Sequence, residues 1–347
     1  MVMQEAGAPA SSQQAMQPGP AFVHLRVHSE YSIVDGLVRI DDVVKAAAKD
    51  KQVALAVTDL SNLFGMVKFY KEARGKGVKP ILGAEIFLEG EAGAPPSRLI
   101  VLVQSRQGYL NLSELLARAW TRNVVKNLAL STWAWLEELS EGLIALSGAQ
   151  AGPVGQALMK GDESGAADIA LRLAGIFPHR FYVELQRAGR TDDEAHVVAA
   201  AQLAARLSLP VVATHPIQFA GPDDYEAHEA RICIAEGEIL ANPRRVRKFT
   251  RDQYFKTSAE MEALFADLPS AIANTVEIAQ RCNLTLVLGK PQLPNFPTPP
   301  GMTIDEFLVA ESKAGLEKRL LQLFQDPEKR EKYDRLGPNW RAGQDMS

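Results

Sequence analysis

An α/β barrel is the fold this sequence predicts, and three observations point to it. Short aliphatic runs recur along the chain. Longer amphipathic stretches separate them. The runs are nearly continuously apolar rather than alternating. Strands covered on both faces need such runs, and their alternation with helices makes βα units and a parallel sheet. An open doubly wound sheet fits the same pattern. However, no glycine-rich phosphate loop follows the first run, which favours a barrel.

Residues 1–20 are rich in Ala, Ser, Gln, Pro and Gly and read as a disordered tail. They lack the charged and apolar regions of a secretory signal. Seven strand candidates follow: 22–27, 53–57, 80–88, 99–104, 142–147, 180–186 and 209–215. Helical stripes lie between them. Ile40, Val43, Val44 and Ala47 form one; Phe64, Val67 and 69–73 begin another, which Gly75 and Gly77 can end. Leu112, Leu115, Leu116 and Ala119 form a third, and Val197, Val198, Ala201, Leu203, Ala204 and Leu207 a fourth.

Beyond Asp224 the strand signal fades. A helical stretch leads into the basic loop NPRRVRKFTRDQYFK, 242–256. Thr257 and Glu260 have capping-box spacing, as do Thr303 and Glu306. Between these boxes the proline- and glycine-dense stretch 289–302 reads as a linker, and 303–336 as an amphipathic helical segment.

Composition excludes several classes. A net charge of −4 rules out a polycation, so nucleic-acid contact would need a local patch. The candidates are Arg244, Arg245, Arg247 and Lys248, with Tyr254 and Phe255 available for stacking; a solvated loop with core aromatics is the competing reading. Cys233 and Cys282 form no metal-type spacing and no disulfide framework, which fits a reducing, cytoplasmic setting. The longest aliphatic run, 99–103, is far too short to span a bilayer.

In an extended VHLRVH segment, His24, Arg26 and His28 share one face. Strand ends elsewhere carry Asp35, Asp59, Glu85, Glu184 and His215. A cluster of His and carboxylates suits zinc, manganese or iron, and such a site can activate water for phosphoester hydrolysis. Polar residues also gather at strand ends because loops face water, so both readings stand. Arg26 is the anomaly, because a guanidinium cannot ligate a metal.

HLRVHSEYSIVDGL, LAVTDLSNLFGMVKFYKEA, GVKPILGAE, GYLNLSELL and VVATHPIQF occur in that order. This series resembles the polymerase and histidinol phosphatase (PHP) domain, in the form that stands at the N-terminus of bacterial DNA polymerase III alpha subunits. The resemblance covers about 21–335 and implies a distorted seven-stranded (βα) barrel over 21–288. It also implies that 303–336 begins the polymerase palm and that 337–347 departs from the family.

Metal-binding members hold a cluster of ions on about nine ligands. Carried over position by position, the resemblance keeps His28, Asp35 and Glu85. Arg26, Leu60, Arg98, Ala149, Pro216 and Gln218 stand where ligands are lost. Three survivors are too few for a multinuclear site. Arg26 and Arg98 are therefore expected to replace the ions' charge and to pair with Asp35 and Glu85.

The resemblance implies a structural module of a replicative polymerase. The module would dock the proofreading exonuclease subunit beside other polymerase III holoenzyme subunits, with DNA contacted in the full-length context. No cofactor is expected in this chain; Mg²⁺ would serve the full-length polymerase, whose catalytic motifs are missing here. The alternative is a metal-dependent phosphoesterase or 3′–5′ exonuclease using Zn²⁺ or Mn²⁺.

Overall fold

The computed structural model describes residues 22–90, 94–291, 294–325, 327 and 331. The tail expected over 1–20 and the departure expected over 337–347 lie outside them. The strands are β1 (Ala54–Val57), β2 (Lys79–Leu88), β3 (Ser97–Val103), β4 (Val124–Val125), β5 (Leu128–Ser131), β6 (Leu143–Leu146), β7 (Phe181–Gln186) and β8 (Val211–Thr214). The helices are α1 (Ile40–Lys49), α2 (Met66–Gly75), α3 (Arg106–Arg122), α4 (Trp133–Glu138), α5 (Pro153–Met159), α6 (Glu163–Ile176), α7 (Asp193–Leu207), α8 (Tyr225–Glu236), α9 (Ser258–Leu264), α10 (Pro269–Arg281) and α11 (Ile304–Phe324).

Strand pairing runs around a ring. β1 lies parallel to β2, β3 is antiparallel to both β2 and β6, and β6, β7 and β8 are parallel. The first apolar run closes the ring without forming a regular strand. It meets β1 through His24 and Leu55, and the chain just past β8 through Val27 and Ile217. Hydrogen bonds from Ala56 N to His24 O (2.9 Å) and from His28 N to Ile217 O (3.0 Å) join its two sides. All seven apolar runs of the sequence are thus members of a distorted barrel.

The expectation of a parallel sheet fails at β3. The stretch 89–96 between β2 and β3 is shorter than a parallel crossover needs, which takes a dozen or more residues, so the chain returns antiparallel. The β4–β5 hairpin is an addition that apolar runs do not reveal. Its turn places Lys126 and Asn127 at φ 50° and 64°, the two left-handed residues of a tight hairpin turn.

Two apolar clusters fill the barrel unit. The larger joins α1, α2, α3, α6 and α7 to one face of the strands. The smaller gathers Val23, Leu25, Ile81, Ile100, Ile144 and Val212 with Ile278, Ala279 and Cys282 at the end of α10. α3 is seated by an unusually close approach to the turn before β6. A Cβ on Gly108 would lie 1.8 Å from the Gly142 carbonyl oxygen.

The chain divides into two compact units between Leu286 and Val287. In the second, Thr303 and Glu306 form a reciprocal capping box that opens α11, and Ile304, Leu308, Val309, Leu316 and Leu321 on that helix are exposed.

Gly108→Ala is expected to force a backbone shift and cost about 2–3 kcal/mol in chemical denaturation. Gly175→Ala, on α6 with open space around it, is expected to be neutral or to stabilise by up to ~1 kcal/mol. Equal losses in the two variants would refute the close-approach account.

Candidate functional site

Glu85 lies on β2, fully buried, with cations on both of its oxygens. Oε2 accepts from Arg26 Nη2 at 2.7 Å and from His28 Nε2 at 2.8 Å; Oε1 accepts from Arg98 Nη1 at 3.0 Å. His28 Nδ1 meets Asp35 Oδ1 at 2.9 Å. Arg26 Nη1 reaches across the barrel to Glu184 Oε1 on β7 at 3.4 Å. Arg98 on β3 stands 3.8 Å from Asp35 Oδ2 and over the Phe87 ring.

Three cations therefore face three carboxylates. Burial alone would lower the His28 pKa, but Asp35 and Glu85 outweigh it and raise it to about 9, so the ring is an imidazolium that donates from both nitrogens. Burial would raise the Asp35 pKa, yet His28 holds it below the usual carboxylate range. Burial likewise opposes ionisation of Glu85, and Arg26, Arg98 and His28 hold it well below normal.

Glu184 is supported by further donors. Its oxygens accept from the Gly148 N–H at 2.9 Å, from Gln186 Nε2 at 2.8 Å and from the Thr214 hydroxyl. Asp59 lies beside the network, where Ser29 donates to it from both N–H and hydroxyl. Burial dominates there and raises its pKa to about 6.

These residues do not fit the metal cluster that the resemblance implies. Both His28 nitrogens carry donating protons, and guanidinium or imidazolium groups take both Glu85 oxygens. Asp35 Oδ2 is the network's buried carboxylate oxygen without a hydrogen bond. Among the described residues no group of three His, Cys, Asp or Glu is placed to hold an ion.

The lost positions have other partners. The backbone N–H of Leu60 donates to Ser32 Oγ, Ala149 is buried in a 3₁₀ turn, the Pro216 carbonyl accepts from Gln253, and Gln218 Nε2 lies 3.4 Å from His28 Nδ1.

The expected pairing changes in one respect. Arg26 pairs with Glu85 and Glu184 rather than Asp35, because His28 reaches Asp35 first. His24 does not join Arg26 and His28. It lies between Phe22 and Phe255, and its Nε2 donates to the Lys256 carbonyl at 2.7 Å. His215 is also apart, with Nε2 donating to the Asp252 carbonyl at 2.7 Å. Glu184 was legible as an inward position, since Tyr182, Glu184 and Gln186 alternate on one face of β7.

The basic loop is mostly used internally. Arg245 is ion-paired with buried Glu229, Arg247 Nε lies 3.9 Å from the same carboxylate, and Lys248 Nζ bonds Glu236 at 2.6 Å. Phe255 is buried, so it is not free to stack on a base. Arg244 remains exposed without an ion pair among the described residues.

Arg26→Met should cost about 3–5 kcal/mol in urea unfolding, since it leaves buried Glu184 with no cation and Glu85 with two of its three. Arg98 is 29% exposed, so Arg98→Met should cost only about 1–2 kcal/mol. A larger loss at Arg98 would contradict this ranking.

Burial lowers the pKa of His24 to about 4 and of His215 to about 3. Both folded values lie below the unfolded one, so the unfolded chain binds protons first. Their contribution is intact above about pH 6.5 and is lost as pH falls toward 4, on the order of 3 kcal/mol for His24. Unfolding midpoints measured from pH 7 to 4 should fall, and fall less steeply for His215→Asn.

Residues 24–188 match the PHP domain model. The chain is 50% identical over 301 residues to the DNA polymerase III subunit alpha of Pseudomonas aeruginosa, covering 86% of this chain and 26% of that protein. It is 47% identical over 318 residues to the Neisseria meningitidis serogroup B subunit alpha, covering 90% and 28%. The chain thus spans about a quarter of the length of these relatives. Among solved structures it is similar to an amidohydrolase from Chromobacterium violaceum with bound sulfate and no metal, with a TM-score of 0.41, 16% identity, and coverage of 61% of this chain and 97% of that one. Residues 24–188 belong to the PHP domain family, within a chain that aligns with the N-terminal region of DNA polymerase III alpha subunits.

Proposed function

We propose that this chain is the N-terminal PHP module of a replicative DNA polymerase III alpha subunit, working in the cytoplasm in DNA replication. Its role is structural and docking: it stabilises the subunit and holds the proofreading exonuclease subunit within the polymerase III assembly. DNA is contacted in the full-length context.

The alignment with alpha subunits supports this reading. The observation that carries it is the seating of Arg26 and Arg98 on Glu85. A carboxylate bonded to two guanidinium groups and an imidazolium has three of its roughly four acceptor directions taken by cations, and a metal ion would have to approach against their charge. Arginine does not deprotonate to relieve it. His28, Asp35 and Glu85 serve here as parts of an ion-pair core.

Metal analysis of the purified chain is expected to give well under one equivalent of zinc, manganese or iron. Incubation with manganese and single-stranded DNA is expected to give no cleavage. Co-expression with the exonuclease subunit of the same genome is expected to yield a complex through gel filtration. Stoichiometric metal together with manganese-dependent cleavage would establish the phosphoesterase reading instead, and failure to co-elute would remove the docking role.

A further inference from the structure

The strap that follows α8 is held down by charge rather than by apolar packing. Gly237 ends the helix at φ +70°, and 238–248 then run without helix or strand. Ile239, Leu240, Arg244, Val246, Arg247 and Lys248 are all exposed. Arg245 turns inward instead, and its side chain is only 3% exposed where it pairs with buried Glu229. Lys248 adds a surface pair with Glu236.

The Arg245 anchor is poorly satisfied. Arg245 Nη2 bonds Glu229 Oε2, yet Arg245 Nε and Nη1 and Glu229 Oε1 are buried with no hydrogen-bond partner among the described residues. Taking two charges out of water is costly, and their attraction offsets this only where the remaining donors and lone pairs are also met. Each unmet atom adds to the cost of the closed strap, whereas in an open strap water meets all three. Beneath the strap runs the buried face of α8: Tyr225, His228, Glu229, Ile232 and Cys233. Cys233 stands one turn beyond Glu229 on that face, within electrostatic reach of the Arg245 guanidinium. The far end of the strap is fixed separately. The Tyr225 hydroxyl donates to the Phe249 carbonyl at 3.2 Å, and the Phe249 ring meets His228 edge-on at 4.7 Å. α8 itself is fastened to the barrel by His228 Nε2, which donates to the Asp35 carbonyl at 2.8 Å. The strap can therefore lift between fixed ends while α8 stays seated.

We propose that 238–248 is an electrostatic latch over α8, with closed and open states close in free energy, and that its opening exchanges the Arg245–Glu229 pair for water. In the closed state Glu229 and Glu236 neutralise Arg245 and Lys248. In the open state both cations join Arg244 and Arg247 in a four-cation surface beside an uncovered Cys233. The latch thus sets how much positive charge, and which face of α8, the molecule presents. The inference does not depend on the polymerase-module reading.

The two cysteines provide the test. Cys233 reports the strap, and Cys282, packed in the smaller apolar cluster, reports global unfolding. The whole chain is labelled with iodoacetamide at pH 8 without denaturant, and each site is followed by mass spectrometry. Cys233 is expected to label at least tenfold faster than Cys282. Glu229→Gln leaves Arg245 facing a neutral amide, and should speed Cys233 a further tenfold or more with Cys282 unchanged. Glu229→Leu combined with Arg245→Met replaces the pair by apolar contact, and should slow Cys233 several-fold below the parent chain. Equal rates at the two cysteines in the parent chain would overturn the proposal. So would a Glu229→Gln variant that leaves Cys233 unchanged or speeds both sites alike, or a double variant in which Cys233 labels as fast as in the parent or faster.

Discussion

The charge on Glu85 is the constraint around which this barrel is arranged. A carboxylate with no solvent exposure is tolerable only if cations are held against it. The three that serve come from separate places: Arg26 and His28 from the N-terminal run, and Arg98 from β3. Arg26 then spans the barrel to Glu184 on β7. These contacts fall where the backbone ladder is thinnest. The N-terminal run closes the ring through isolated bridges rather than a continuous strand, so side-chain ion pairs reinforce the seam that main-chain hydrogen bonds leave weak.

Cations supplied by side chains differ from a bound ion in how they respond to conditions. A bound metal ion leaves when its ligands protonate or a chelator competes. A guanidinium is covalently tethered and stays charged at any pH the fold survives. Arg26, His28 and Arg98 face Asp35, Glu85 and Glu184 in equal number, and their bonds tie the N-terminal run, β2, β3 and β7 to one another.

Much of this was legible in the sequence. Seven runs such as LIVLVQ and LPVVATH are apolar because strands covered on both faces must be, and all seven take part in the ring. The reversed β3 follows from the short 89–96 link, which is a matter of counting. The β4–β5 hairpin was less visible because its two valines in β4 are exposed and mimic loop residues. At the site, position matching placed Arg26 and Arg98 where the resemblance expects ligands, but gave no sign that Glu184 is the second partner of Arg26. That contact spans 158 residues of sequence. His24 was misplaced with Arg26 and His28 because strand alternation was assumed for a segment that lacks a regular ladder. Arg245 was read as a surface cation because nothing local signals that Glu229, about two turns of helix and a loop away, is buried.

Two buried or half-buried arginines also demand a suitable surround. The carboxylates do not meet every guanidinium donor, and Arg26 Nε is left without a partner. The backbone helps to hold the carboxylate partner of Arg26. Gly148 stands at φ +80°, where a side chain would be strained. Its N–H donates to Glu184, and a Cβ there would lie 2.1 Å from the Arg98 carbonyl oxygen. The glycine thus brings the turn after β6 close to both ends of the network. The turn that holds Ala149 is thus part of the scaffold around the network. Gly148, Gln186 and Thr214 all donate to Glu184, so the carboxylate that Arg26 reaches across the barrel is itself fixed by three neutral donors.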